Sequence, residues 1–264
     1  MRSPGLLLEV STLVELSRRR AEERPDQLAY TFLVDGDTEE AHLTYGDLDR
    51  RARAIGAALQ ARGAQGERVL LLYPPGLEYV AAFVGCLYAG AVAVPAYPPD
   101  PMRLARTLPR LEAVIQDARA RFALTTGFIQ GFMESMGEQS AALSGLSWLA
   151  TDGVEDGEAS GWKDPGTARE ALAFLQYTSG STGTPKGVML SHGNLLHNLG
   201  LISHAFESRQ DSTGVIWLPP YHDMGLIGGI LQPLYAGFPV ALMSPLDFLR
   251  RPMKWLEAVM GSHG

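Results

Sequence analysis

The chain reads as an α/β fold, a doubly wound, mostly parallel sheet flanked by helices. Three observations predict it. From residue 69 onward, short apolar runs of strand length alternate with segments of helix length, the pattern of parallel strands joined by helical crossovers. A glycine- and hydroxyl-rich stretch, residues 177–187, lies between two strand-like runs. A histidine beside an aspartate, His222-Asp223, follows a further apolar run at the end where open α/β sheets place their ligands.

Residues 13–24 predict a helix with Leu13, Val14 and Leu16 on its apolar side and Pro25 as its stop. Its Arg18-Arg19-Arg20 run adjoins Glu22 and Glu23, which makes it a solvated face rather than a nucleic-acid patch. Residues 28–34 and 41–44, with a turn at Asp35-Gly36-Asp37, predict a β-hairpin. Thr44 with Asp47 opens a helix to about residue 62, and Gly63 ends it. Strands at 69–73, 92–94, 122–125 and Trp148 then alternate with helices at 77–89, 102–118 and 127–142. Pro95-Ala96-Tyr97-Pro98-Pro99-Asp100-Pro101 joins a strand to a helix, so a rigid connection fits better than a polyproline ligand. Arg103, Arg106 and Arg110 share one face of that helix, where surface solubility accounts for them.

Residues 151–168, rich in Gly, Asp and Glu, are the candidate flexible loop and a candidate sub-boundary. Beyond the 177–187 stretch, Asn194 is expected to cap a helix through Phe206, followed by a strand at 215–218 and, after His222, two glycine-containing helical turns. A strand at 239–243 and a final amphipathic helix complete the pattern, with Trp217 and Trp255 as core or subdomain-contact residues.

Composition narrows the function classes. With 264 residues, 46% of them hydrophobic, the chain can bury one large core or two small ones. A net charge of −7 argues against nucleic acid as the main partner, because a phosphate backbone rewards an excess of Lys and Arg. No apolar run approaches the ~18 residues of a membrane span, and Glu9 ends the N-terminal leucines short of a signal-peptide core. The expected location is therefore cytoplasmic. The single cysteine, Cys86, sits in an apolar helical stretch and is expected to be a buried thiol.

Thr178, Ser179, Gly180, Ser181, Thr182, Gly183 and Thr184 are all glycines or short hydroxyl residues, so the backbone can close on phosphate oxygens while the hydroxyls donate. Lys186 brings a cation and Pro185 stiffens the exit. The G-x-x-x-x-G-K-[ST] phosphate loop does not fit, since Pro185 precedes the lysine, Gly187 follows it and no helix starts there. A plain Gly/Ser linker is disfavoured by the apolar strands on both sides and the Pro-Lys-Gly exit. For His222-Asp223 a helix cap is the alternative, and no second ligand at suitable spacing supports a metal.

Residues 177–187, with Val188-Met189-Leu190-Ser191-His192-Gly193-Asn194-Leu195 after them, resemble position for position the signature loop of the adenylate-forming enzymes: acyl-CoA synthetases, peptide-synthetase adenylation domains, luciferases and fatty acyl-AMP ligases. Residues 217–229 resemble the family's second motif in its fatty acyl-AMP ligase form, and residues 95–101 are similar to the corresponding segment of those ligases. The resemblance covers essentially the whole chain but only the first part of the family's larger domain. It implies that 1–264 is the N-terminal part of an AMP-binding domain, without the later motifs and the C-terminal lid.

The implied activity is ATP-dependent conversion of a fatty acid to an acyl-adenylate with release of pyrophosphate, using Mg²⁺, with an acyl carrier protein as acceptor. A fatty acyl-CoA synthetase is the nearest alternative, and a non-catalytic fragment or binding module is the alternative of another class. Carried onto this chain, the resemblance implies that Thr178 to Thr184 and Lys186 hold the phosphates and that Lys186 and His222 serve the reaction. It further implies that His222, Asp223, Met224, Gly225, Ile227 and Gly228 border the carboxylate and acyl chain, and that the protein ligand of Mg²⁺ lies outside this stretch.

Overall fold

The computed structural model describes residues 9–34, 39–99, 101–137, 140–179 and 185–261. Helix α1 (Leu13–Glu23) starts at Thr12, whose hydroxyl accepts from the Glu15 amide, and buries Leu13, Val14 and Leu16. Strands β1 (Leu28–Val34) and β2 (Glu39–Thr44) pair antiparallel as expected of a hairpin, while the expected turn at 35–37 lies outside the described residues. Helix α2 (Tyr45–Ala61) opens with the capping box written by Thr44 and Asp47, two orphan amides satisfied reciprocally.

The chain then alternates. It runs β3 (Arg68–Leu72), α3 (Leu77–Tyr88), β4 (Val92–Ala96), α4 (Leu104–Ala118), β5 (Phe122–Thr125), α5 (Gly127–Gly137), α6 (Ala141–Ser144) and β6 (Ser147–Ala150). Strands β7 (Leu172–Ser179) and β8 (Pro185–Ser191) follow, then α7 (His192–Ala205) and β9 (Gly214–Ile216). The last elements are a π-helical segment, Met224–Leu231, then α8 (Gln232–Ala236), β10 (Val240–Met243), α9 (Pro245–Arg250) and α10 (Met253–Gly261).

These strands make two sheets where a single one was expected. The six-stranded sheet has the order β6-β5-β3-β4-β7-β8 and is parallel except for the β7–β8 hairpin. The four-stranded sheet has the order β2-β1-β10-β9, with β10 parallel to both β1 and β9. Helix α3 touches strands of both sheets. That position explains its composition: every residue from Tyr79 to Tyr88 is buried, as in a helix apolar on all sides. A Cβ on Gly85 would stand 2.7 Å from Ile55, so glycine lets α2 and α3 approach closely. Cys86 on the same helix is fully buried, and burial pushes its thiol pKa well above the ordinary range.

Two local expectations change. Residues 151–168, expected as a flexible loop, fold into short 3₁₀ turns at Thr151–Gly153 and Asp156–Gly161 that pack on α2. Val154 and Ala159 are buried there, Trp162 Nε1 donates to the Tyr88 carbonyl at 2.8 Å, and Arg51 donates to the carbonyls of Thr151 and Val154. A few apolar anchors outweigh a polar composition. At α7 the N-cap is Ser191, and Asn194 is its capping-box partner rather than the cap itself. His192, the first residue of α7, is buried and its Nδ1 accepts from the Leu13 amide at 3.1 Å, tying the starts of α7 and α1 together. Among the described residues, no helix is long and apolar enough to cross a membrane.

Candidate functional site

The carboxyl ends of β4 and β7 open onto a cavity of about 600 Å³. Its walls come from four stretches: Pro95 to Pro98 at the end of β4, Arg103 just before α4 with the face of α4 that carries Arg106 and Arg110, residues 176–178 of β7, and Tyr221-His222-Asp223 after β9. This is the crevice outside the strand ends that parallel sheets offer to ligands.

The β7–β8 register decides how the glycine- and hydroxyl-rich stretch enters it. Thr178 lies opposite Lys186 and Ser179 opposite Pro185, so the hairpin brings the first hydroxyl and the lysine side by side. Cross-strand partners point to one face, and Gln176 shares that face with Thr178 by the period of two. The Lys186 side chain is exposed and makes no hydrogen bond or ion pair with another described residue. Gly180, Ser181, Thr182, Gly183 and Thr184, which join the two strands, lie outside the described residues, as does the side chain of Ser179.

His222 and Asp223 are both exposed on the cavity wall and 2.6 Å apart, Nδ1 to Oδ1, so the Nδ1–H donates to the carboxylate. The same Oδ1 accepts the Met224 amide at 2.7 Å, making Asp223 at once the cap of the π-helical segment and the group that orients His222. Gln176 is only 7% exposed; its Nε2 donates to the Tyr221 carbonyl at 3.1 Å, and its Oε1 has no partner among the described residues. Tyr221 packs on Tyr97 with ring centroids 3.9 Å apart, and burial, then the neighbouring Tyr97, pushes its pKa up to about 12.

The remaining expected substrate residues stand behind this wall and do not line the cavity. Met224 is exposed, and Ile227 packs against the core. A Cβ on Gly225 would fall 2.0 Å from the Pro219 carbonyl oxygen, so this glycine is needed for the close turn itself. Gly228 faces open space, with no atom within 4 Å of where a Cβ would be.

The arginines of α4 are what sequence reasoning missed. Their spacing put them on one face, but only the packing of α4 shows that this face is a cavity wall. The available signal was their position at the start of a helix that directly follows a strand and a rigid proline-rich connection. Among the described residues, the side chains of Arg106 and Arg110 have no hydrogen bond or ion pair, and no group of three or more His, Cys, Asp and Glu could hold a metal ion.

An open, mostly parallel sheet with a lysine-bearing hairpin and an arginine-lined crevice at its strand ends defines an α/β domain with a cationic cleft where such sheets take their ligands. Residues 17–262 match the family described as AMP-binding enzyme, and the chain belongs to that family. It is 46% identical over 252 residues to the medium-chain-fatty-acid acyl-carrier-protein ligase JamA of Moorena producens, covering 95% of this chain and 43% of the relative. It is 37% identical over 259 residues to a long-chain-fatty-acid–AMP ligase of Mycolicibacterium smegmatis, covering 96% and 40%. The crystal structure of a fatty acyl-adenylate ligase of Legionella pneumophila with acyl adenylate and pyrophosphate aligns at a TM-score of 0.86 and 40% identity, over 96% of this chain and 43% of that one. The chain thus spans less than half the length of these three relatives.

Proposed function

We propose that this chain forms the phosphate-holding part of a fatty acyl-AMP ligase. In the reaction a carboxylate oxygen of the fatty acid attacks the α-phosphorus of ATP. The bond from that phosphorus to the α,β-bridging oxygen breaks, and pyrophosphate leaves with the electron pair. The product is an acyl-adenylate, which a carrier-protein thiol then attacks at the acyl carbon, releasing AMP. Little covalent chemistry falls to the protein, whose task is to align the two reactants and neutralise charge as pyrophosphate departs.

The observation that carries this reading is the hairpin register that sets Lys186 beside Thr178, a residue that lines one crevice with His222. Thr178 would donate to phosphate oxygens and Lys186 would set a cation beside them; the connecting residues Ser179 to Thr184 would add further donors. His222, held by Asp223, would orient the fatty carboxylate. Mg²⁺ would arrive with the phosphates of ATP and neutralise part of their charge. The residues beyond His222, with the open space at Gly228, would border the acyl chain.

The test is acyl-adenylate formation by a protein carrying this chain as its N-terminal part, given ATP, Mg²⁺ and fatty acids of graded length and followed by mass spectrometry. Adenylate formed without any acceptor, then consumed by a holo carrier protein and not by coenzyme A, is the expected result. Consumption by coenzyme A alone would make it an acyl-CoA synthetase. The isolated 264-residue chain is expected to bind nucleotide weakly and release no pyrophosphate; turnover by it would overturn this division of labour.

A further inference from the structure

Tyr177 stands in β7 directly opposite Gly187 of β8, one residue inside the Thr178–Lys186 pair. Its ring lies over the glycine: a Cβ on Gly187 would come within 2.9 Å of Tyr177 Cζ and 3.1 Å of its hydroxyl. From there the hydroxyl donates to Asp117 Oδ2 on α4 at 2.5 Å. Burial, and then the bond to Asp117 with its negative charge, hold the phenol protonated far above neutral pH, so it remains a donor.

Asp117 belongs to the same helix as the arginines, two turns beyond Arg110 and about 10 Å along the axis, too far to neutralise it. The ring of Tyr177 also packs on the apolar cluster that α4 makes with the six-stranded sheet. One side chain thus joins two walls of the cavity, the hairpin end with Thr178, opposite which Lys186 stands, and the helix with Arg106 and Arg110.

We propose that Tyr177, Gly187 and Asp117 form a latch that fixes the hairpin against α4 and so sets the distance between the Thr178–Lys186 pair and the α4 arginines. The missing side chain at 187 makes room for the ring, and the ring carries its hydroxyl to Asp117. All three are positioning residues, because none needs to touch the ligand. The inference rests on the phosphate-holding reading given above.

The experiment uses the 264-residue chain with Tyr177→Phe, Asp117→Ala, Asp117→Asn and Gly187→Ala. Amide hydrogen exchange at Thr178 and at Lys186 to Val188 reports the latch, and titration with inorganic pyrophosphate and with MgATP reports the site. Tyr177→Phe, Asp117→Ala and Gly187→Ala are expected to speed exchange at those amides and weaken pyrophosphate about fivefold to tenfold, the worth of one lost hydrogen bond. Asp117→Asn keeps an acceptor oxygen and is expected to restore both readouts. Unchanged exchange in Tyr177→Phe and Asp117→Ala overturns the latch, and faster exchange with unchanged affinity overturns its positioning role. Affinity that merely follows thermal stability across the four variants reduces the latch to fold support and also overturns the proposal. If the wild-type chain binds no pyrophosphate while exchange responds as expected, the latch stands and the phosphate reading fails.

Discussion

The arginines of α1 and α2 and those of α4 carry the same charge on the same kind of scaffold, yet the protein treats them oppositely. On α1, Arg18 and Arg19 meet Glu22 and Glu23 one turn on, at 3.0 and 2.8 Å. Arg20, 3% exposed, donates to the carbonyls of Leu234 and Tyr235. On α2, Arg50 pairs with Asp47 and Asp156, and Arg53 with Asp49. On α4 the residue one turn beyond Arg106 is Arg110, a like charge at a spacing that destabilises an isolated helix. Cations that bear on the fold find their partners within it; Arg106 and Arg110 on the cavity wall are left for something that arrives from outside.

The hardest way to break that distinction is Arg20→Ala. It orphans two buried carbonyls and removes packing, and the expected loss is roughly 3–4 kcal/mol of stability, read from the urea midpoint. Nucleotide affinity of the folded fraction should not change, and if it does, the separation between fold cations and site cations is wrong.

Next in size is a cation that the fold refuses to form. His192 is buried without a counter-charge, and that desolvation lowers its pKa from 6.5 to about 4. Unfolded, the imidazole protonates below pH 6.5; folded, it stays neutral. The contribution is therefore fully present above pH 6.5 and is lost as the pH falls toward about 4, in all about 3 kcal/mol. Denaturation at a series of pH values should show this slope, flattened in His192→Gln.

Lys186→Ala probes the site side of the comparison. In a protein that carries this chain as its N-terminal part, loss of a charge-assisted bond of ~1.5–3 kcal/mol corresponds to a tenfold to hundredfold weaker use of ATP at low concentration, with an unchanged urea midpoint. The smallest effect is the sharpest: Arg106→Glu replaces a like-charge pair by a favourable one with Arg110. Helix stability should rise by ~0.3–0.5 kcal/mol while pyrophosphate binding weakens, opposite signs that a purely structural arginine would not give.

Much of the fold was legible because its signals are local. Thr44 with Asp47 and the strand-length apolar run of residues 28–34 specify their elements over a few residues. The division into two sheets was not legible, since it depends on Tyr30 pairing with Val240 across more than 200 residues, and β10 reads alone like any other strand. At the site, His222 and the ends of the hairpin were marked by residue type, whereas Arg106, Arg110 and Gln176 acquire meaning only from the face on which they are packed. Tyr177 and Asp117 lie 60 residues apart, and no spacing rule joins them.

The buried thiol of Cys86 makes the molecule its own reporter. With that sulfur sealed in α3 and its proton held tightly, the native chain presents no thiolate to a maleimide or a disulfide reagent. A cysteine introduced on the cavity wall would then take a fluorophore or spin label as the one reactive position. Later modification of Cys86 would time the opening of α3. Site occupancy and global unfolding could be followed in one sample by mass alone, without removing a single native residue from the core.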